Sequence, residues 1–384
     1  MASTSATNPI KALCDLGQSV WQDDISRQML QQGDIARAIA DTGIRGLTSN
    51  PSIFEKAIGS GTAYDEDVLQ LLRDGKGPEE IFEAVEVDDI RHACDLFAPI
   101  YQESNGADGF VSIEVSPGAA RNADGTRTEA RRLWKTVDRP NLMVKIPGTV
   151  EGAAVIEEML DAGVNINITL LFAIESYEAV ALAYVGALEL RHARGEPVDR
   201  IASVASFFVS RVDTLIDKLL EEKATADPAN ADRYRALMGK AAVANAKLAY
   251  AKFQEIFNGP RFAPLRAAGA RVQRPLWAST SVKNPAYRDV LYVEELIGPD
   301  TVNTMPRPTI EAFRDHGKVQ RTVDVGIDEA RQLMTDLAAA GIDMTSITRQ
   351  LEDEGIATFT KSYDGLIEGV EGKRSQLASV AAAS

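Results

Sequence analysis

Only 2 cysteines and 3 histidines occur among the 384 residues. Cys14 and Cys94 are too few for a disulfide framework and too far apart for a metal-ligand pair, so they read as buried thiols in a reducing compartment. A cytoplasmic location follows as an expectation. His92, His192 and His316 include no two at ligand spacing, which argues against a zinc-dependent aldolase or hydrolase, and no metal site is expected. Positive charge is also scarce: 41 basic side chains against 56 acidic ones give a formal charge of −15. A nucleic-acid partner is excluded on that ground, and any bound phosphate must meet local cations. The longest apolar stretch, Ala179 to Leu188, is about half of the roughly 18 residues that suggest a membrane span. The N-terminus MASTSATNPIKAL has no apolar core of a secretory signal. No G-x-G-x-x-G follows a strand pattern, the nearest string being Gly59-Ser60-Gly61, and neither a P-loop nor a G-x-S-x-G elbow occurs.

What the chain does carry is an alternation of short β-branched runs with long helical patterns. Eight strands are expected, at Ser19–Asp24, Arg45–Asn50, Gly109–Val115, Asn141–Ile146, Val164–Leu170, Ile201–Phe207, Pro275–Ser281 and Asp300–Met305. Parallel strands need helical crossovers, and eight such units are the count of a closed (β/α)8 TIM barrel, an α/β fold with additional helices here. A doubly wound open sheet is the alternative. The domain reading is a single barrel over 9–371, with a helical insert at about 54–104 and C-terminal helices at about 308–371. Residues 1–8 and 372–384 are expected to be flexible.

Barrel chemistry sits at the C-terminal ends of the strands. There the sequence places Asp23, Asn50, Glu114, Lys145, Asn167, Thr169, Ser206, Ser281 and Thr304. Taken singly, each has a structural explanation as a cap, a turn residue or a strand former. Lys145 stands out, since it interrupts the apolar run Leu142–Pro147 and lysine is rarely buried without a reason. Desolvation lowers an amine pKa and frees the nucleophilic form that a Schiff base with a ketone requires. The competing reading is a lysine that snorkels to the rim or pairs with Glu114. On strand five, Asn165, Asn167 and Thr169 alternate with Val164, Ile166, Ile168 and Leu170, which puts amides and a hydroxyl inside and aliphatic groups against the helices. Strand three repeats the device with Ser112, Glu114 and Ser116. Arg211 and Lys283 follow strands six and seven, where barrels commonly bind phosphate. The alternative for Arg211 is an ion pair with Asp213 or Asp217.

The strings LTSNPSIF (47–54), MVKIPGTVEG (143–152), NINITLLF (165–172), SFFVSR (206–211) and WASTSVKNPAY (277–287) together resemble transaldolase. WQDDISR near residue 21 and the insert between strands two and three are similar to its longer subfamily. The resemblance implies a class I aldolase barrel of the non-oxidative pentose phosphate pathway. It would move a dihydroxyacetone unit from sedoheptulose 7-phosphate or fructose 6-phosphate to glyceraldehyde 3-phosphate or erythrose 4-phosphate, with no cofactor or metal. Lys145 would form the Schiff base. Asp23 would be the base for carbon–carbon cleavage, with Asp24 an alternative in the same string. Glu114 and Thr169 would hold a proton-shuttling water. Asn50, Asn167, Ser206 and Ser281 would line the substrate site, and Arg211 and Lys283 would meet the phosphate. Small sugar phosphates are thus the expected partners, with no nucleic acid and no membrane, while the oligomeric state stays open. The rivals are a fructose 6-phosphate aldolase on the same barrel, a non-catalytic sugar-phosphate-binding protein, and a pyridoxal-phosphate barrel using Lys145.

Overall fold

The computed structural model describes residues 8–59 and 61–383. Eight parallel strands close in chain order: β1 (Gln18–Gln22), β2 (Gly46–Thr48), β3 (Val111–Glu114), β4 (Leu142–Pro147), β5 (Ile166–Leu171), β6 (Ser203–Phe208), β7 (Arg274–Ala278) and β8 (Thr301–Met305). β1 pairs with both β2 and β8, so no strand edge is left open. Each strand coincides with an expected segment within a few residues, and the open-sheet alternative is set aside.

Strand alternation sorts the side chains into two cores. Outward residues such as Val20, Val111, Val144, Ile168 and Phe207 pack beneath the helices in the main apolar cluster. Inward residues Trp21, Phe110, Met143, Val204, Leu276 and Val302 fill the barrel itself. Below them, Asp108 accepts from Trp21 Nε1 at 3.1 Å and Arg45 Nε at 3.1 Å, is bonded by Ser19, and faces Arg274 at 3.5 Å. This polar plug closes the N-terminal end and leaves the other end to the site.

The expected insert is three helices, Pro51–Gly59, Asp65–Arg73 and Pro78–Glu103. The expected C-terminal helices are, among the described residues, three: Arg307–His316, Ile327–Ala339 and Met344–Ala383. The last runs on through 372–383, the stretch expected to form a mobile tail. Of the expected flexible segment 1–8, all but Asn8 lies outside the described residues. Asn8 accepts from Ile10 N at 3.0 Å and caps the helix Pro9–Asp15.

Two local departures have physical causes. The β5–β6 register shifts between Ile168 and Leu171, and Leu170 takes φ +60°, so the side chain expected against the helices turns into the mouth of the barrel. Ser116 lies past β3 and donates its hydroxyl to Glu129 at 2.7 Å, leaving the inward face that Ser112 and Glu114 share.

Gly46 pairs with Trp21 across β1 and β2, and a Cβ there would lie 2.6 Å from the indole. Gly46→Ala is therefore expected to destabilise by about 1–3 kcal/mol through overpacking, read as a lower urea midpoint at unchanged slope.

Candidate active site

A cavity of about 360 Å³ opens at the C-terminal ends of the strands. Asp23, Asn50, Glu114, Lys145, Thr169, Ser206, Arg211, Ser281, Lys283 and Thr304 all line it. The parallel register sets Glu114 opposite Lys145 and Lys145 opposite Asn167, so three neighbouring strands deliver their polar ends abreast. Asn167 does not line the cavity. It is buried beside it, donating to Ser112 Oγ at 3.0 Å and accepting from Ser206 Oγ at 2.7 Å. That bond fixes which way the Ser206 hydroxyl is aimed.

Lys145 is 8% exposed, with its Nζ 3.1 Å from Glu114 Oε2 and 3.2 Å from the Ser49 carbonyl. The pairing reading and the nucleophile reading thus meet in one geometry, because the carboxylate that pairs with the amine also stands ready to take its proton. Burial pushes the Glu114 carboxyl above its ordinary value, the Lys145 charge pulls it down, and Asp23 pushes it up. Asp23 is raised in the same way, first by burial and then by Asp24, against the pull of Lys145 and Lys283. It makes no ion pair within 4 Å among the described residues. Asp24 faces an adjoining groove of about 850 Å³ that meets the cavity at Asp23, Asn50, Ser52 and Pro306. Of the two aspartates, only Asp23 therefore lines the cavity that holds Lys145.

The cations occupy the same mouth. Arg211 sits 5.5 Å over the Phe208 ring, and burial lowers its pKa while Glu354 works against that. The alternative ion pairs are not made. Asp213 accepts from Ala242 N at 2.7 Å and Tyr292 Oη at 2.9 Å, and Asp217 from Gly239 N at 2.8 Å and Tyr287 Oη at 2.6 Å. Arg211 has no ion pair among the described residues and is a desolvated cation facing a cavity, an arrangement that favours an anion. Lys283 Nζ donates to Ser281 Oγ at 2.6 Å, both in the loop after β7. β7 itself ends at Ala278, short of the expected Ser281.

Sequence reading missed the cover. Gly355, Thr358 and Phe359 of the helix Met344–Ala383 line the cavity, as do Leu170, Phe208 and Ser279. It also missed Glu86 of the insert, a buried carboxyl raised well above the ordinary range by desolvation and by Glu114. Among the described residues, no group of three or more His, Cys, Asp or Glu side chains could hold a metal ion, and no helix is long and apolar enough to cross a membrane.

A family profile described as transaldolase/fructose-6-phosphate aldolase matches residues 20–370. The chain belongs to this family. It is 46% identical to the transaldolase of Trichodesmium erythraeum over 378 residues, covering 97% of this chain and all of that one. To the transaldolase of Mycolicibacterium smegmatis it is 48% identical over 370 residues, covering 96% and 98%. To that of Thermobifida fusca the identity is 47% over 364 residues, covering 94% and 97%.

The electrostatics carry a stability cost that can be measured. Because the folded-state pKa of Asp23 is raised, the unfolded chain gives up its proton first as pH climbs through the carboxylate range. Its contribution to stability is therefore lost with rising pH and present only below that window. Asp23→Asn is expected to raise the unfolding midpoint at pH 7, with the gain fading towards about pH 4.

Proposed function

We propose that this chain is a transaldolase, a transferase that carries a dihydroxyacetone unit from a ketose phosphate to an aldose phosphate through a Schiff base on Lys145. The observation that carries this reading is the buried Lys145–Glu114 contact of 3.1 Å in a cavity that also holds Asp23 and Arg211. Family membership, and relatives named transaldolase that match almost end to end, support transfer over release of the free three-carbon ketone.

In this mechanism Glu114, a stronger base than a solvated carboxylate because its pKa is raised, accepts the proton of the Lys145 ammonium. The amine adds to the substrate ketone. The carbinolamine loses water with Glu114 and Thr169 handling protons, and a protonated imine results. Asp23 then takes the C4 hydroxyl proton, the C3–C4 bond breaks, and its electron pair moves into the imine to give an enamine. The aldose phosphate leaves and a second aldehyde enters. The enamine carbon attacks the new carbonyl, Asp23 returns the proton to the forming hydroxyl, and hydrolysis of the imine frees the product and the amine.

Binding follows the same division of the cavity. Asn50, Ser206 and Ser281 address hydroxyls, with Asn167 holding the Ser206 hydroxyl from behind the cavity wall, while Arg211 and Lys283 take the phosphate, Arg211 by a fork and Lys283 as a point charge. Sedoheptulose 7-phosphate and fructose 6-phosphate are the donors of this reading, and glyceraldehyde 3-phosphate and erythrose 4-phosphate the acceptors. A place in the pentose phosphate pathway and in the cytoplasm belongs to it, consistent with two free thiols at Cys14 and Cys94.

Borohydride reduction in the presence of fructose 6-phosphate is expected to leave a reduced dihydroxyacetone unit on the Lys145 peptide, seen by mass spectrometry. A folded wild-type protein that gains no adduct would sink the proposal. Lys145→Ala should lose both adduct and turnover. Asp23→Ala should still trap an imine with the intact donor while cleavage drops by about 10²–10⁴-fold.

A further inference from the structure

The enamine on Lys145 has two possible fates. If its carbon takes a proton from water, the resulting iminium is hydrolysed by a second water, which releases free dihydroxyacetone and restores the amine. If it meets an aldehyde first, a carbon–carbon bond forms and the unit is transferred. Water is the only reagent the first route needs, so the outcome rests on what shields the cavity.

The helix Met344–Ala383 supplies that shield. Gly355, Thr358 and Phe359 fall at positions i, i+3 and i+4, on one face, and line the cavity together. Glycine is a poor helix former, so its place here calls for a packing reason. A Cβ at 355 would lie 2.9 Å from Leu170 Cδ2 and 3.9 Å from Arg211 Nη1. The missing side chain lets the helix backbone rest directly on the mouth. From below, Leu170 rises to meet it through its left-handed backbone, and Phe208 flanks Arg211. The catalytic polar groups lie under an apolar collar of Leu170, Phe208 and Phe359, and Phe359 is buried.

The cover is also tied down. Ser362 accepts from Ser52 at 2.7 Å, two residues after Asn50. Tyr363 stacks edge-on against Phe82 at 6.0 Å, and Phe82 against Phe54 at 5.8 Å. Lys373 Nζ donates to the carbonyls of Gly61 at 2.7 Å and Ile58 at 3.2 Å. The insert between β2 and β3 is thereby the footing of the cover.

Resting on the transaldolase reading, we propose that Phe359, held over the mouth by Gly355, is a positioning residue that decides whether the three-carbon unit passes to an aldehyde or is lost to water. It acts by excluding solvent and touches no proton itself.

The test supplies fructose 6-phosphate, with and without erythrose 4-phosphate, to the full-length wild type and to Phe359→Ala, Phe359→Leu and Gly355→Ala. Free dihydroxyacetone and transferred product are measured together, with circular dichroism and unfolding midpoints reporting the fold. The ratio of release to transfer is expected to rise about tenfold in Phe359→Ala and less in Gly355→Ala, which lifts the helix, and to return towards wild type in Phe359→Leu. A folded Phe359→Ala protein with the wild-type ratio overturns the inference. If that variant does not fold, an unchanged ratio in Gly355→Ala does so. A wild type that neither traps an imine at Lys145 nor transfers would instead bring down the transaldolase reading itself.

Discussion

A lysine amine and a carboxylate held 3.1 Å apart at the open, C-terminal end of an apolar barrel constrain everything around them. Taking two such ions out of water costs roughly several kcal/mol each before their attraction and hydrogen bonds offset it. The pair persists because neighbouring parallel strands fix both side chains in register, and because the Ser49 carbonyl accepts a further bond from the amine. Beneath it, Met143 and Phe110 belong to a packed layer that keeps water from reaching the pair through the barrel. Closure of the sheet, the interior apolar layer and the Asp108 plug are together the scaffold on which one buried amine can be held.

The charge arrangement around that pair follows from desolvation. Asp23 and Glu114 in the cavity, and Glu86 outside its wall, are all pushed upward by burial, so these carboxyls hold protons more readily than surface ones would. Arg211 carries the opposite burden, a half-buried cation without an ion pair among the described residues. In a chain of formal charge −15, a cation kept from the surrounding carboxylates is informative. Asp213 and Asp217, the nearest acids along its own helix, are instead committed to Tyr292, Tyr287 and backbone amides. Those four groups hold the helix start in place while leaving the guanidinium open to an incoming anion.

Stability and function pull apart at this mouth. A left-handed leucine, a glycine within a long helix and an uncompensated arginine are each locally unfavourable, and they converge on one volume. Their cost is offset by distant packing, including the aromatic chain Tyr363–Phe82–Phe54 that anchors the C-terminal helix to the insert. An extension that looks peripheral along the chain is thus part of the wall of the cavity.

The sequence determined by itself the eight strand–helix units and the polar strand ends, since both are local signals: period-2 alternation, helical periodicity, and a lysine standing where an apolar residue belongs. Strand parity, which dictates which side chains face inward, also placed Glu114, Lys145, Thr169 and Ser206 on the cavity wall, though Asn167 sits behind that wall and Thr48, Leu170 and Phe208 were not named. The tertiary structure alone decided the rest. Leu170 broke the parity through a register shift that no neighbour in sequence announces. The partners of Asp213 and Asp217 lie on later helices and loops, so proximity along the helix pointed to the wrong ion pairs. The cover brings residues 355–359 onto Leu170 and Arg211. Contacts between segments so far apart in the chain leave no periodic trace, and only the closed barrel brings them together.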